Sequence, residues 1–520
     1  MSKSSELTRQ DGKQKEWLFY ISLVILSLFI FMIPGDFGYV LFDDSGSYMN
    51  LYANMEGVMP GYPLFLHVNK LMFGEENYLY AVVAEQAVLA TVCVIAFIAV
   101  IKKKFCLRYW EAYVCYAFAL FPFTTNMPDS MTTHEIVTEG VAYALFYLFM
   151  AVLLQTVWNK SFKWLGLLCG MTLLLSLIRS QLQILFGVCG AVCIYIVVLR
   201  PGKLDGKKGR RLLGFLGGMV CCMIIGLAGL WSVGKVSAAF QNMKAEVRRE
   251  EQKKAQQAQS DAVSDSENTQ EQKKPAKPVI TTSQYVTLIL SRGMYEADYE
   301  DYLLFEDEQV RELYLFIYPL LDKAQNRYVY AQPGLWMWKD IVGGIGRIGE
   351  QCYHNQNSFY NKNYPDLVYS SNYSSIRNTN QVKIGLTLIK THFGRFLYHT
   401  FMLLPQAFIC TVFFQIERIY LLCHLVTLFL YLSAMALMIW AYKDKKVDNA
   451  YGEFMLGVLG TNLILILVIS LVFFGQQRYL VYNFGIFYIS GFLLFMKLWR
   501  LYLCDLTLRA WSRIRHRDSL

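Results

Sequence analysis

Along the 520-residue chain, ten stretches are apolar almost all round: 17–34, 78–101, 111–126, 136–157, 164–178, 184–199, 212–234, 420–441, 451–474 and 480–499. A helix rises about 1.5 Å per residue, so crossing a hydrocarbon core of about 30 Å takes roughly 17 to 25 such residues, and these stretches read as membrane spans, several of them short. The run His399 to Gln415 is also apolar, but it holds Pro405, ends at Glu417-Arg418 and breaks the alternation of loops described below. It is expected to lie in or dip into the membrane interface; if 397–415 crosses, it is an eleventh span. The expected fold class is an all-α polytopic membrane protein, a bundle of about 10–11 transmembrane helices.

Between the spans the pattern changes. In the first long loop, 35–77, Tyr48, Leu51, Tyr52 and Met55 follow i, i+3, i+4, i+7 spacing, which suits a helix lying flat on the interface. Pro60-Gly61-Tyr62-Pro63 then reads as a rigid turn into a second interfacial helix at Leu64-Phe65-Leu66. From Lys244 to Lys277 the chain is Lys, Glu, Gln, Ser and Ala, with too little apolar surface to offset its ordering entropy, and is expected to be a disordered tether. From Thr281 to about Asn380 it turns rich in Tyr, Trp, Leu and Asn, and 302–305 and 310–321 have helical spacing, so a small, mostly helical external module is expected. The divisions are 1–234 (N-terminal transmembrane region), 235–280 (charged linker), 281–395 (module), 396–500 (C-terminal interfacial and transmembrane region) and 501–520 (basic tail).

Composition agrees and adds orientation. With 55% hydrophobic and 17% charged residues the chain is too apolar for a soluble protein. The net charge of +9 calls for no nucleic acid, because Lys and Arg gather in alternate short loops: 102–104 with 108, 160 with 163, 200–211, 443–446, and the tail 500–517. Such loops stay inside, which puts 35–77, 126–135, 179–183, 235–395 and 475–478 outside. The polar start, Met1 to Glu16, leads to an apolar run that ends at Pro34 without a small-residue cleavage site, so the first helix is expected to be retained. Most of the 12 Cys lie in apolar stretches and the long outer region holds only Cys352, which implies no disulfide framework.

The candidate chemistry lies on the outer side. Asp43 and Asp44 stand where partial desolvation would raise a carboxylate's proton affinity, as a general base needs, but Asp44 or Ser45 before an amphipathic run is also an ordinary helix cap. Asp129, His134, Glu135 and Glu139 spread across the entry to the fourth span, with Glu135 and Glu139 one turn apart; the helix dipole favours such acids, and an acid at the depth of Glu139 can also position an acceptor or a metal. Arg179-Ser180-Gln181 and Gln477-Arg478-Tyr479 bring guanidinium groups to the outer headgroup level, where arginine holds phosphate bidentately or snorkels to lipid. Lys235, His392 and Arg395 are weaker candidates of the same kind, and the seven His show no zinc-site spacing.

Taken together, these positions resemble the GT-C superfamily of membrane glycosyltransferases, which includes protein O-mannosyltransferases and the lipid A aminoarabinose transferase. The likeness rests on an acid four residues before a Tyr (Asp44-Ser45-Gly46-Ser47-Tyr48), on Pro60-Gly61-Tyr62-Pro63-Leu64-Phe65-Leu66 with Phe73-Gly74 closing the loop, on Val137-Thr138-Glu139, and on Arg179 and Arg478-Tyr479. It covers about 15–235 and 420–500 and leaves 240–390 unaccounted for. The resemblance implies Asp44 as catalytic base with Asp43 an extra acid beside it, Tyr48 and Tyr62 at the substrate, and Glu139 or Glu135 as the second-loop acid. It further implies that Arg179, Gln181, Arg478 and Tyr479 hold the phosphate of a polyprenyl-phosphate sugar donor. An inverting transfer to an envelope glycan, lipid or protein, on the outer face of a bacterial plasma membrane, would follow. Any divalent cation, Mg or Mn, would sit on Asp43 and Glu139. Leu480-Val481-Tyr482-Asn483 departs from the family, whose members often carry prolines there. The competing expectation is a transporter or flippase of lipid-linked saccharides, which would bury polar groups at mid-membrane.

Overall fold

In the computed structural model the described residues are 3–32, 38–42, 45–49, 59–124, 131–199, 217–221, 223–236, 239, 243, 284–334, 337–368, 373–413, 416–472 and 477–503. The expected tether, 244–277, and the tail beyond 503 lie outside them, as do Asp43, Asp44, the stretch 50–58 and Asp129. Among the described residues there is no β-strand, only one parallel bridge between Val40 and Glu135.

Eight helices of the described residues are long and apolar enough to cross a membrane. The chain is therefore an all-α polytopic membrane protein. The spans belong to α1 (Lys3–Met32), α3 (Gly61–Phe105), α5 (Thr138–Asn159), α7 (Leu185–Leu199, extended by the turn Ser180–Ile184), α8 (Gly217–Val236), α15 (Tyr420–Lys443), α16 (Asn449–Val472) and α18 (Phe484–Leu498). Two expected spans are shorter. The stretch 164–178 is met by α6 (Phe162–Ile178), of 17 residues, and 111–126 by α4 (Tyr109–Ala119), of 11 residues, followed by the 3-10 turn Phe121–Thr124. At about 25 Å, α4 and its turn still reach from one end of the bundle to the other. Glu111 pairs with Arg500 at one end, and Phe123 O accepts from Thr132 N at the other.

A straight helix of 45 residues would measure about 67 Å, more than twice a hydrocarbon core. α3 is instead broken at Gly74, whose φ of 77° is open to glycine at little cost. The limb before the break, 61–73, buries Tyr62, Leu66 and Asn69 against the bundle and exposes Leu64, Val68, Leu71 and Met72. This is the second helix expected after the Pro-Gly-Tyr-Pro turn. The limb after the break packs on α1, α4 and α5.

α5 is the centre of the bundle. It is apolar nearly all round and buried nearly all round, from Thr138 to Leu154, as such a helix must be. α15 lies at the rim: Cys423, Thr427, Tyr431 and Ala434 are buried at helical spacing, and Leu421, Leu425, Leu428 and Phe429 are exposed. The basic loops gather at one end, where Lys102 meets Glu16 (3.2 Å), Lys104 meets Asp448 (3.8 Å) and Arg500 meets Glu111.

Helices α9 (Gln284–Tyr295), α10 (Glu308–Lys323), α11 (Met337–Asn363), α12 (Pro365–Val368) and α13 (Tyr373–Thr391) surround a separate apolar core that includes Leu290, Leu313, Ile341, Ile345 and Ile384. α9 and α13 touch backbone to backbone, since a Cβ on Gly293 would lie 2.6 Å from Gly385 O. α14 (Phe393–Cys410) joins the two cores: Leu403 belongs to that of the module, Ala407 and Cys410 to that of the bundle. The division expected at 395/396 thus falls inside one helix. Phe393, Leu397 and Phe401, four residues apart, form the exposed face of α14.

Candidate functional site

At the end opposite the basic loops, segment 131–137 ties the first long loop to the bundle. Val40 N donates to His134 O (2.9 Å) and Ile136 N to Val40 O (3.0 Å). The ring of His134, 1% exposed, faces Gly38 O through Nδ1 (3.0 Å) and Phe31 O, near the end of α1, through Nε2 (2.5 Å). Ser45, the first residue of α2 (Ser45–Met49), accepts from Phe42 N and donates to Ile136 O, both at 2.8 Å. The residues on either side of Asp43 and Asp44 are therefore anchored to the loop that precedes α5.

A second set of bonds runs through Gln86 of α3. Its Nε2 donates to Thr133 O (2.9 Å) and Glu135 O (3.2 Å), and its Oε1 accepts from Tyr62 OH (3.1 Å). Gly140 leaves room for this amide: a Cβ there would lie 2.5 Å from Gln86 Oε1. Tyr48 meets Tyr62 edge to face, 5.5 Å between ring centres.

The centre of the site is an ion pair. Glu139, in the first turn of α5, and Arg179, just past α6, meet at 2.6 Å between Oε1 and Nη1, with side chains 3% and 11% exposed. Thr138 Oγ1 donates to Glu139 Oε2 (2.9 Å) and accepts from Arg179 Nη1 (3.3 Å). The guanidinium lies over the Tyr479 ring, 4.7 Å from its centre. Gln181 Nε2 donates to Tyr482 OH (3.1 Å) and Tyr479 O (3.4 Å), and Tyr482 stands edge-on to Tyr143 at 5.1 Å. Glu135, fully buried, and Glu139 both lie within electrostatic reach of Tyr62. Glu139, Glu135, Arg179, Gln181, Tyr479, Tyr62 and Tyr48, spread over more than 400 positions of sequence, thus meet at one end of the bundle.

Arg179 Nη1 meets Glu139 as an ion pair and donates a hydrogen bond to Thr138. Among the described residues Nε and Nη2 make no hydrogen bond. Those two nitrogens form the side-on fork that matches two oxygens of a phosphate or carboxylate.

Other expected residues lie elsewhere. Arg478 falls in α17 (Gln477–Leu480), but its side chain is outside the described residues. His392 and Arg395, grouped above with the phosphate binders, belong to the module: His392 meets Asp301 (2.6 Å) and Arg395 meets Asp298 (2.7 Å). Lys235 lies over Trp231, 5.6 Å from the ring centre. The described residues contain no group of three or more His, Cys, Asp or Glu arranged for a metal, and Glu139 is already matched by Arg179. Those residues therefore do not by themselves make a divalent-cation site. Gln86 and Tyr143 were not singled out from sequence; Thr138 and Tyr482 entered only inside longer motifs, and Ser45 only as a helix-cap candidate. A lone Gln inside an apolar span was a usable signal for Gln86; the others look like ordinary helix-end or aromatic positions.

Comparisons with protein-family models, with curated proteins and with solved structures match none of them.

Proposed function

We propose that the chain is a membrane glycosyltransferase of the GT-C kind, which moves a sugar from a polyprenyl-phosphate donor to a glycan, lipid or protein acceptor at the outer face of a bacterial plasma membrane. The observation that carries this reading is the Arg179 fork, aimed by Glu139 and Thr138 and backed by the Tyr479 ring. Because Glu139 neutralises part of the charge, the fork would hold a phosphate less tightly than a lone guanidinium but in a fixed direction. As the acceptor oxygen bonds to the anomeric carbon, the bond from that carbon to the donor phosphate breaks, and the charge growing on the phosphate is met by Arg179. Asp44 would take the acceptor proton. One displacement of this sort inverts the anomeric centre.

In purified protein Asp44→Asn should abolish glycosyl transfer and leave donor binding intact; unchanged transfer sinks the assignment. Arg179→Lys keeps the charge and loses the fork, so donor KM should rise about tenfold or more.

One observation favours a second reading, a transporter of lipid-linked saccharides. Midway along α15 and α16, Tyr431 OH accepts from Asn462 (3.0 Å) and shares a hydrogen bond with Thr411 Oγ1 (2.7 Å), and Thr461 Oγ1 accepts from Asn483 (2.5 Å). That reading predicts movement of labelled lipid-linked sugar across vesicle membranes with no new glycosidic bond.

A further inference from the structure

The module holds a buried cation that its surroundings leave under-compensated. Arg292, on α9, is 1% exposed. Its Nη2 donates to Thr400 Oγ1 of α14 at 2.6 Å, and its guanidinium rests on the Phe396 ring, 4.7 Å from the centre. Nε and Nη1 have no hydrogen-bond partner among the described residues. Three residues on, the Tyr295 hydroxyl is in the same condition, again on a residue 1% exposed. Glu296 lies within electrostatic reach, but its two oxygens face His399 Nδ1 at 2.9 and 2.8 Å.

The other basic side chains at this junction are matched. Arg395 is held by Asp298, His392 by Asp301, and Arg327 by Asp322. Burial pulls the Arg292 guanidinium down to about 10, against the opposing influence of Glu296 and Tyr295. A buried donor without an acceptor loses its water bonds and regains nothing, and the loss is larger when the donor is charged. The open positions here are three N–H groups on a cation and one hydroxyl that can also donate. A cation would be repelled by that set. A group with several acceptor oxygens and a negative charge fits it.

We propose that Arg292 and Tyr295 form a binding site for an oxyanion, a phosphate or carboxylate group, held in the module between α9 and α14. The site is distinct from the Glu139–Arg179 cluster and does not depend on glycosyl transfer. Arg292 and Tyr295 bind the anion, and Thr400 fixes the guanidinium from α14. Because α14 also enters the bundle core, an anion bound here would strengthen the hold of the module on the membrane part.

The experiment uses the full-length protein in phosphatidylcholine nanodiscs at constant ionic strength, with thermal unfolding followed as inorganic phosphate or acetate replaces chloride. A parallel arm adds phosphatidylglycerol to the disc in place of the free anion. The expected result is a saturable rise in Tm in at least one arm: a free-anion response marks a soluble ligand, a response confined to the phosphatidylglycerol discs a lipid phosphate. Arg292→Gln should abolish the rise. If that variant does not fold, Tyr295→Phe, which removes one hydroxyl and keeps the ring on His399, should raise the half-saturating concentration at least threefold. No saturable response in any arm overturns the proposal, as does an unchanged response in Tyr295→Phe. A rise in the ligand-free Tm of Tyr295→Phe with no anion response in the wild type would show that only water fills the place.

Discussion

The Glu139–Arg179 pair can be tested by a double-mutant cycle. At their 2.6 Å contact, two unit charges in an effective dielectric of about 20 attract by about 6 kcal/mol. Desolvation of groups 3% and 11% exposed takes back much of that, so the net worth of the pair is small compared with the damage from breaking it. Glu139→Gln keeps the shape and the Thr138 contact but leaves the Arg179 charge buried against a neutral amide, and should destabilise by about 3 kcal/mol or more; Arg179→Gln should do likewise. The double variant leaves neither charge and two amides able to bond each other, so it should be more stable than the sum of the single losses by about 1–3 kcal/mol. Equilibrium unfolding of the purified protein in mixed micelles, read by helical circular dichroism, measures all four corners. Additivity to within about 0.5 kcal/mol would refute the claim that the two groups form one unit.

Gly140→Ala should push Gln86 away from Tyr62 and the 133–135 carbonyls and cost about 1–3 kcal/mol, read as a lowered Tm, because the new Cβ would stand 2.5 Å from Gln86 Oε1; an unchanged Tm contradicts that packing. Gly385→Ala meets rigid backbone, Ile289 O at 2.5 Å, so it should loosen α9 from α13 by about 3 kcal/mol and expose the module, but not the bundle, to limited proteolysis. Ser45→Ala removes the bonds to Phe42 N and Ile136 O and should cost about 1–2 kcal/mol in local opening, seen as faster hydrogen exchange at 38–49; unchanged exchange would show that Ser45 does not hold the loop. In the module, burial alone would raise the Asp298 carboxyl, but bonds from Arg395 and Tyr328 outweigh it and hold the group below its ordinary value. A depressed carboxylate adds stability that is present above its unfolded value, about 4, and is lost as pH falls through the folded value. Module stability should therefore fall on acidification below about pH 4. Asp298→Asn should flatten that fall, and an unaltered acid limb would count against the Asp298–Arg395 pairing.

How much of this was legible in the sequence varies with the part of the chain. Apolar runs near twenty residues marked eight spans without any knowledge of packing, because a helix is the one open-ended structure that satisfies its own backbone in lipid. They promised a span where α4 has 11 helical residues followed by a 3-10 turn, and another where α6 has 17. The helix that follows Pro60-Gly61-Tyr62-Pro63 was legible; its break from the next limb at Gly74, where φ is 77°, was marked only by Phe73-Gly74 as the loop closure the resemblance implies. The acids and arginines at the ends of helices could be listed from sequence, but not their partners.

The sequence by itself determined the class of protein, the basic end of the bundle, the existence of a helical module and the identity of the polar residues available to a site. Those follow from period, length and charge, which are local properties of the chain. Only the tertiary structure decided that Glu139 pairs with Arg179, that Tyr479 and Gln181 close around them, that His392 and Arg395 serve the module, and that Arg292 lacks a full set of partners. Those are contacts between residues tens to hundreds of positions apart, and which pairs form depends on how helices of nearly uniform apolar surface rotate and shift against one another. In lipid that choice rests on close approach at small residues such as Gly140 and on the few polar groups that must find each other.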